Sequence, residues 1–224
     1  AISLTRQGGE SSHSIGIREV NFLGLGKRVS VRHSQDKDRN GWKFRYTDPA
    51  LFGSQHQLTF ANEDNSDGEL HYLSLAKPFH SVESEHAYSI SFEQLTQDNH
   101  WYLNGHKSTS FSRERNIVQG NYRFLYQQQQ RKVKRWSVGI HSSENSFTPI
   151  YQNSHSNWSL ENRQLSFGYI GFESKNDRFT KLRNIHLIEH TEDLFIGSTL
   201  YAQLGMGNIK LIEDRQDLLQ ANIQ

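Results

Sequence analysis

Apolar and polar residues alternate along most of this chain. Trp42, Phe44 and Tyr46 alternate with Lys43, Arg45 and Thr47. Tyr88, Ile90 and Phe92 alternate with Ser89, Ser91 and Glu93, and Tyr122, Phe124 and Tyr126 with Asn121, Arg123 and Leu125. Trp136, Val138 and Ile140 continue the pattern, as do Val29 with Val31 and Ile15 with Ile17. Successive side chains of a strand point to opposite faces, so each segment predicts a strand with one apolar and one polar face. No segment shows a sustained helical stripe, and the tail after Asp214 reads as strand.

Turn chemistry separates these runs. Residues 36–41 divide the strand at 29–34 from that at 42–46, and residues 62–68 divide 58–60 from 70–75. Both segments are rich in Asn, Asp and Gly, which adopt turn conformations at low steric cost. Asp48-Pro49 and Lys77-Pro78 end further strands, because proline donates nothing to a ladder. The expectation is an all-β, antiparallel meander without an internal domain boundary. Residues 142–162 and 205–214 read as two long loops, and the Gln127–Gln130 run as a polar turn.

Two structures bury such strands differently. A soluble sandwich packs the apolar faces of two sheets together, whereas an outer-membrane barrel turns them to lipid and its polar faces to the lumen. Arg18, Arg28, Arg32, Lys43, Arg45 and Arg123 all fall on polar strand positions, as a hydrated lumen accommodates. Arg18, Arg45 and Arg123 are the lumen-facing candidates. The lipid-facing candidates are Trp42, Phe44, Tyr46, Tyr88, Ile90, Phe92, Tyr122, Phe124 and Tyr126, whose aromatics suit interfacial girdles.

Composition narrows the choice. The 224 residues contain no cysteine, which removes disulfides and Cys-ligated metals. The formal charge of +1 lacks the basic excess of a nucleic-acid binder. No run of about 20 apolar residues predicts a membrane helix. The mean hydropathy of −0.78 is low, but half of every barrel strand and all of its loops are polar.

Several motifs occur in the order found in one family. Ile2–Gln7 reads as a first strand. Asn21-Phe22-Leu23-Gly24-Leu25-Gly26 follows a second strand, and Asp48-Pro49-Ala50-Leu51-Phe52-Gly53 forms the next turn on the same side. Asn65-Ser66-Asp67-Gly68, Lys77-Pro78-Phe79 and Glu192-Asp193-Leu194-Phe195-Ile196-Gly197 continue the order, the last as a turn. This set resembles the bacterial surface antigen barrel domain of the outer-membrane assembly-factor and two-partner-secretion superfamily. The resemblance implies a bacterial outer-membrane location, contact with outer-membrane lipid and no cofactor. It also implies non-enzymatic handling of unfolded outer-membrane or secreted protein clients, with no nucleic acid. The family's Arg-Gly-aromatic loop motif and aromatic-terminated final strand are not found. The expectation is therefore an incomplete barrel over residues 1–224, lacking soluble N-terminal domains and closing strands. The competing expectations are a soluble carbohydrate-binding sandwich and the barrel portion of a fused lipolytic enzyme.

Other chemistry is weaker. His186-Leu187-Ile188-Glu189-His190 matches a zinc-protease spacing, which requires a helix; in a strand the two histidines stand about 13 Å apart. Carboxylates Glu10, Glu19, Asp48, Glu69, Glu93, Glu173, Glu192 and Asp193 offer no selected glycosidase pair. Trp42, Trp101, Trp136 and Trp158 are sugar-stacking candidates, with interface or core aromatics as the plainer expectation. Asn157-Trp158-Ser159 is a formal sequon.

Overall fold

A computed structural model describes residues 2–7, 10–81, 83–152, 160–176, 178–183, 191–211 and 214–223. The chain is all-β. The strands are β1 (Ile2–Gln7), β2 (Glu10–Phe22), β3 (Lys27–Gln35), β4 (Asn40–Asp48), β5 (Gln57–Asn65), β6 (Gly68–Lys77) and β7 (His86–Leu103). They continue as β8 (His106–Gln129), β9 (Lys132–Gln152), β10 (Arg163–Asn176), β11 (Phe179–Arg183), β12 (Thr191–Phe195), β13 (Ser198–Leu211) and β14 (Asp214–Ile223). Twelve form one antiparallel sheet in the order β1-β2-β3-β4-β5-β6-β7-β8-β9-β10-β13-β14, and β11 and β12 pair separately. The sheet is a meander whose end strands, β1 and β14, do not pair with each other.

The motif turns close by local bonds. Asn21 accepts at its carbonyl from the Gly24 N–H (2.9 Å), and at its side-chain oxygen from the Gly26 N–H (2.7 Å). Gly24 and Gly26 have φ of 73° and 68°, where a side chain would be strained. Asp48 accepts the Ala50 N–H at 3.1 Å and pairs with Lys27 at 3.2 Å, which ties the two turns together. Asp48 is only 2% exposed.

Several sequence expectations require correction. Residues 142–152 are not loop but the second half of β9, and 205–211 belong to β13. Glu192-Asp193-Leu194-Phe195 is strand β12 and not a turn; it pairs with β11. Gln127–Gln129 close β8, leaving Gln130 in the turn with φ of 50°. The tail after Asp214 is the expected strand. The zinc-like motif at 186–190, Trp158 and the sequon at 157–159 lie outside the described residues.

The two ends of the sheet also differ from a simple short-turn and long-loop division. The Asn21 and Asp48 turns share their end with the connection 78–85, whereas the opposite end has tight turns at 66–67 and 104–105. That opposite end instead carries a tall three-stranded projection, because β7, β8 and β9 run to 18, 24 and 21 residues. The asymmetry lies in strand length.

Candidate functional site

The registers establish which side chains share a face, because directly paired residues project to the same side. Phe44 pairs with Val31, and Val31 with Ile17. Tyr46 pairs with Phe60, Phe60 with Leu73, Leu73 with Phe92, and Phe92 with Val118. Tyr88 pairs with Tyr122 and Tyr122 with Val138; Phe124 pairs with Trp136 and Trp136 with Phe172. Ile170, Leu204 and Ala221 extend the same face to β14. Of the nine lipid-facing candidates, eight therefore lie on one face. The ninth, Tyr126, falls at a register shift between Leu125 and Gln127, where it is the unpaired residue of a bulge.

This apolar face is bare. Ile17 is 77% exposed and Met206 74%, and Val138, Ile170 and Leu204 are all exposed. Among the described residues no second sheet covers it. The opposite face is polar, yet it contains most of the buried positions: Thr59, Ala61, Ala87, Arg135, Ser137 and Asn145. Arg18, Arg45 and Arg123 lie on this polar face, paired with Ser30, Ala61 and Ser137 respectively. Exposure is thus inverted relative to a water-soluble sandwich.

Glycines on the polar face leave room for tyrosines of neighbouring positions. Tyr169 of β10 lies over Gly139 of β9, and a Cβ on that glycine would come within 2.3 Å of the ring. Tyr201 approaches Gly171 in the same way, at 3.1 Å from its hydroxyl oxygen. Glycine within a strand marks such close approach. The loop after β6 also folds inward, with the Phe79 ring 4.0 Å from the Arg135 guanidinium and 5.4 Å from that of Arg123.

The apolar residues form a belt that climbs across the strands. Its centre on β4 is Phe44, between Trp42 and Tyr46. The registers carry Phe44 through Asn62, His71, Gln94 and Asn116 to Glu144 on β9. The belt centre on β9 is instead Val138, between Trp136 and Ile140. The displacement is about six residues, or ~20 Å, over five strand spacings of ~4.8 Å each. A level belt therefore requires strands tilted by roughly 40°, within the range of membrane barrels. From β9 to β14 the centre follows the register directly, through Val138, Ile170, Leu204 and Ala221.

Amphipathic pairs gather where β7 begins, on the side of the Asp48 turn. The His56 imidazole shares a 2.5 Å hydrogen bond with the Tyr88 hydroxyl, and His86 one of 2.7 Å with Tyr122. Tyrosine has an apolar ring and a polar tip to satisfy. At the opposite end, Arg39 donates twice to Asp67, at 3.1 and 2.6 Å, across the hairpin turns. Burial alone would raise the Asp67 pKa. The bonds from Arg39 and Gln97 and the Arg39 charge outweigh it and hold the carboxyl below the ordinary range.

Three of the carboxylates considered for catalysis are tied to cations. Glu93 binds Arg115 at 2.5 Å, Glu173 faces Arg135 at 3.5 Å, and Asp48 holds Lys27. Among the described residues no group of three or more His, Cys, Asp or Glu side chains could hold a metal ion. Trp42 and Trp136 belong to the belt, while Trp101 stands in the projection against Phe111, with ring centroids 5.2 Å apart. Sequence reasoning did not identify that aromatic cluster, the Phe79 contact or the glycine–tyrosine pairs. All of them join residues from separate elements of the chain. The chain matches no known family model, no curated protein and no solved structure.

Proposed function

We propose that this sheet is the membrane-embedded wall of an outer-membrane β-barrel protein, with its apolar belt against lipid and its polar face toward water. The observation that carries the reading is the exposed belt, inclined to the strands at a barrel-like angle over β4–β9. A water-soluble protein rarely leaves a contiguous apolar surface of that extent uncovered. The mechanism is noncovalent. The polar wall offers a hydrated path, and the outer edge of β1 presents backbone donors and acceptors that an incoming strand would pair with. Together with the ordered turn motifs, this favours an assembly-factor role: the insertion or translocation of unfolded outer-membrane or secreted protein clients.

Tryptophan quenching tests the placement. Single-tryptophan variants retaining Trp42, Trp136 or Trp101 are folded into vesicles containing brominated lipids. Trp42 and Trp136 should be quenched strongly and Trp101 weakly. Equal, weak quenching at all three sites would overturn the membrane reading.

A further inference from the structure

We propose that the polar wall of β2–β4 binds an extended, acidic polypeptide segment lying along β3. Four arginines surround Ser30. Arg18 and Arg45 are its direct neighbours on β2 and β4, and Arg28 and Arg32 stand two residues away on either side. Arg32 also pairs directly with Lys43, a like-charge juxtaposition that disfavours the sheet. Lys43 is joined to Glu63 at 2.8 Å. All four arginines are exposed, and among the described residues none has a carboxylate partner. They line a hollow of about 640 Å³.

The rest of the polar wall is different. Arg115 is matched by Glu93, Arg135 by Glu173, and Arg113 makes two bonds to Asn145. These three arginines of β8 and β9 thus have polar partners, whereas the four around Ser30 have no carboxylate among the described residues. The spacing selects the ligand. Arg28 and Arg32 lie about 13 Å apart along one strand, while Arg18 and Arg45 are separated by two strand spacings, ~10 Å. A single phosphate cannot touch all four. An extended peptide presents every second side chain to one face, about 6.6 Å apart. Carboxylates at its positions i, i+2 and i+4 would then meet Arg28, the Arg18–Arg45 pair, and Arg32 with Lys43. Charge-assisted bonds from guanidinium to carboxylate are the strong class of such contacts.

This proposal goes beyond the membrane reading and requires only that the polar face be open to water. The full chain is refolded in zwitterionic detergent, and a fluorescent eight-residue peptide of alternating Glu and Ser is titrated by anisotropy. We expect saturable binding that weakens steeply with salt. Kd should rise at least tenfold in the combined Arg18→Gln, Arg28→Gln, Arg32→Gln, Arg45→Gln variant. It should rise about threefold in Arg45→Gln alone and stay unchanged in Lys132→Gln, Lys134→Gln. Removing mutually repelling charges should leave thermal stability equal or higher, which separates lost binding from lost folding. Equal binding by the combined variant, or by a Gln-Ser peptide, would overturn the site. Displacement by tripolyphosphate at concentrations matched to the peptide would show a small-anion site and overturn the polypeptide ligand. Failure of tryptophan quenching in vesicles, with peptide binding intact, would sink the membrane reading alone.

Discussion

Replacing Phe44 with Arg is the sharpest test of what covers the belt. Phe44 sits at the belt centre on β4, opposite Val31 and 6.0 Å from the Phe60 ring by centroid. It is 36% exposed, so in water the larger polar side chain has room and the change should cost under about 0.5 kcal/mol. In lipid the cost depends on depth, about 2–4 kcal/mol at mid-bilayer and near zero at an interface. Trp42 and Tyr46 lie two residues on either side, ~6.6 Å along a strand tilted by ~40°, so the nearest polar margin is only about 5 Å away. An arginine can extend that far. The expected penalty is therefore near the lower end, about 2 kcal/mol. Arg45, the next residue, faces the other way, and Arg45→Leu should cost less than 1 kcal/mol because it also relieves charge crowding around Ser30. The assay is reversible denaturant unfolding from short-chain phosphatidylcholine vesicles, repeated in lipid-free detergent-depleted buffer where soluble. Indifference of Phe44→Arg in vesicles, or an Arg45→Leu penalty exceeding it, would refute the assignment of faces.

Three further outcomes are expected. The belt's tallest strand segment, Val118 to Phe124, spans ~20 Å along a tilted strand and so only about 15 Å of bilayer, below the ~25 Å usual for barrels; folding yield should therefore be higher in twelve-carbon than in sixteen-carbon phosphatidylcholine vesicles, as mismatch costs energy. Gly139→Val should destabilise by about 2–3 kcal/mol, because its Cβ would meet the Tyr169 ring, and adding Tyr169→Ala should recover part of that loss in a double-mutant cycle. Asp67 has a lowered folded-state pKa, so its Arg39 bond contributes fully above the unfolded carboxyl value of about 3.9 and is lost as pH falls through the folded value. Asp67→Asn should cost about 1 kcal/mol at neutral pH and flatten the loss of stability as pH falls below the unfolded carboxyl value, read from unfolding midpoints.

The alternation in Trp42–Tyr46, Tyr88–Phe92 and Tyr122–Tyr126 was sufficient to read strands and to divide each into two faces, because a period of two is local geometry. Turn residues such as Asn21, Gly24, Gly26 and Asp48 likewise revealed the meander, since their bonds close within a few residues. The sequence did not show that residues 142–152 are strand. Beyond the belt a strand needs only backbone pairing, so Ser142, Ser143, Asn145 and Ser146 carry no hydrophobic signal. Nor did it distinguish strand β12 from a turn. The inter-strand register is a property of pairs of segments, and only the tertiary structure decided it. That register aligns Phe44 with Glu144 and not with Val138, which makes the belt climb, and it gathers Arg18, Arg28, Arg32 and Arg45 around Ser30. It also places the Tyr126 bulge and sets Tyr169 over Gly139. Residues far apart along the chain carry no record of how their strands slide past one another; that offset comes from backbone hydrogen bonding and side-chain fit across the assembled sheet.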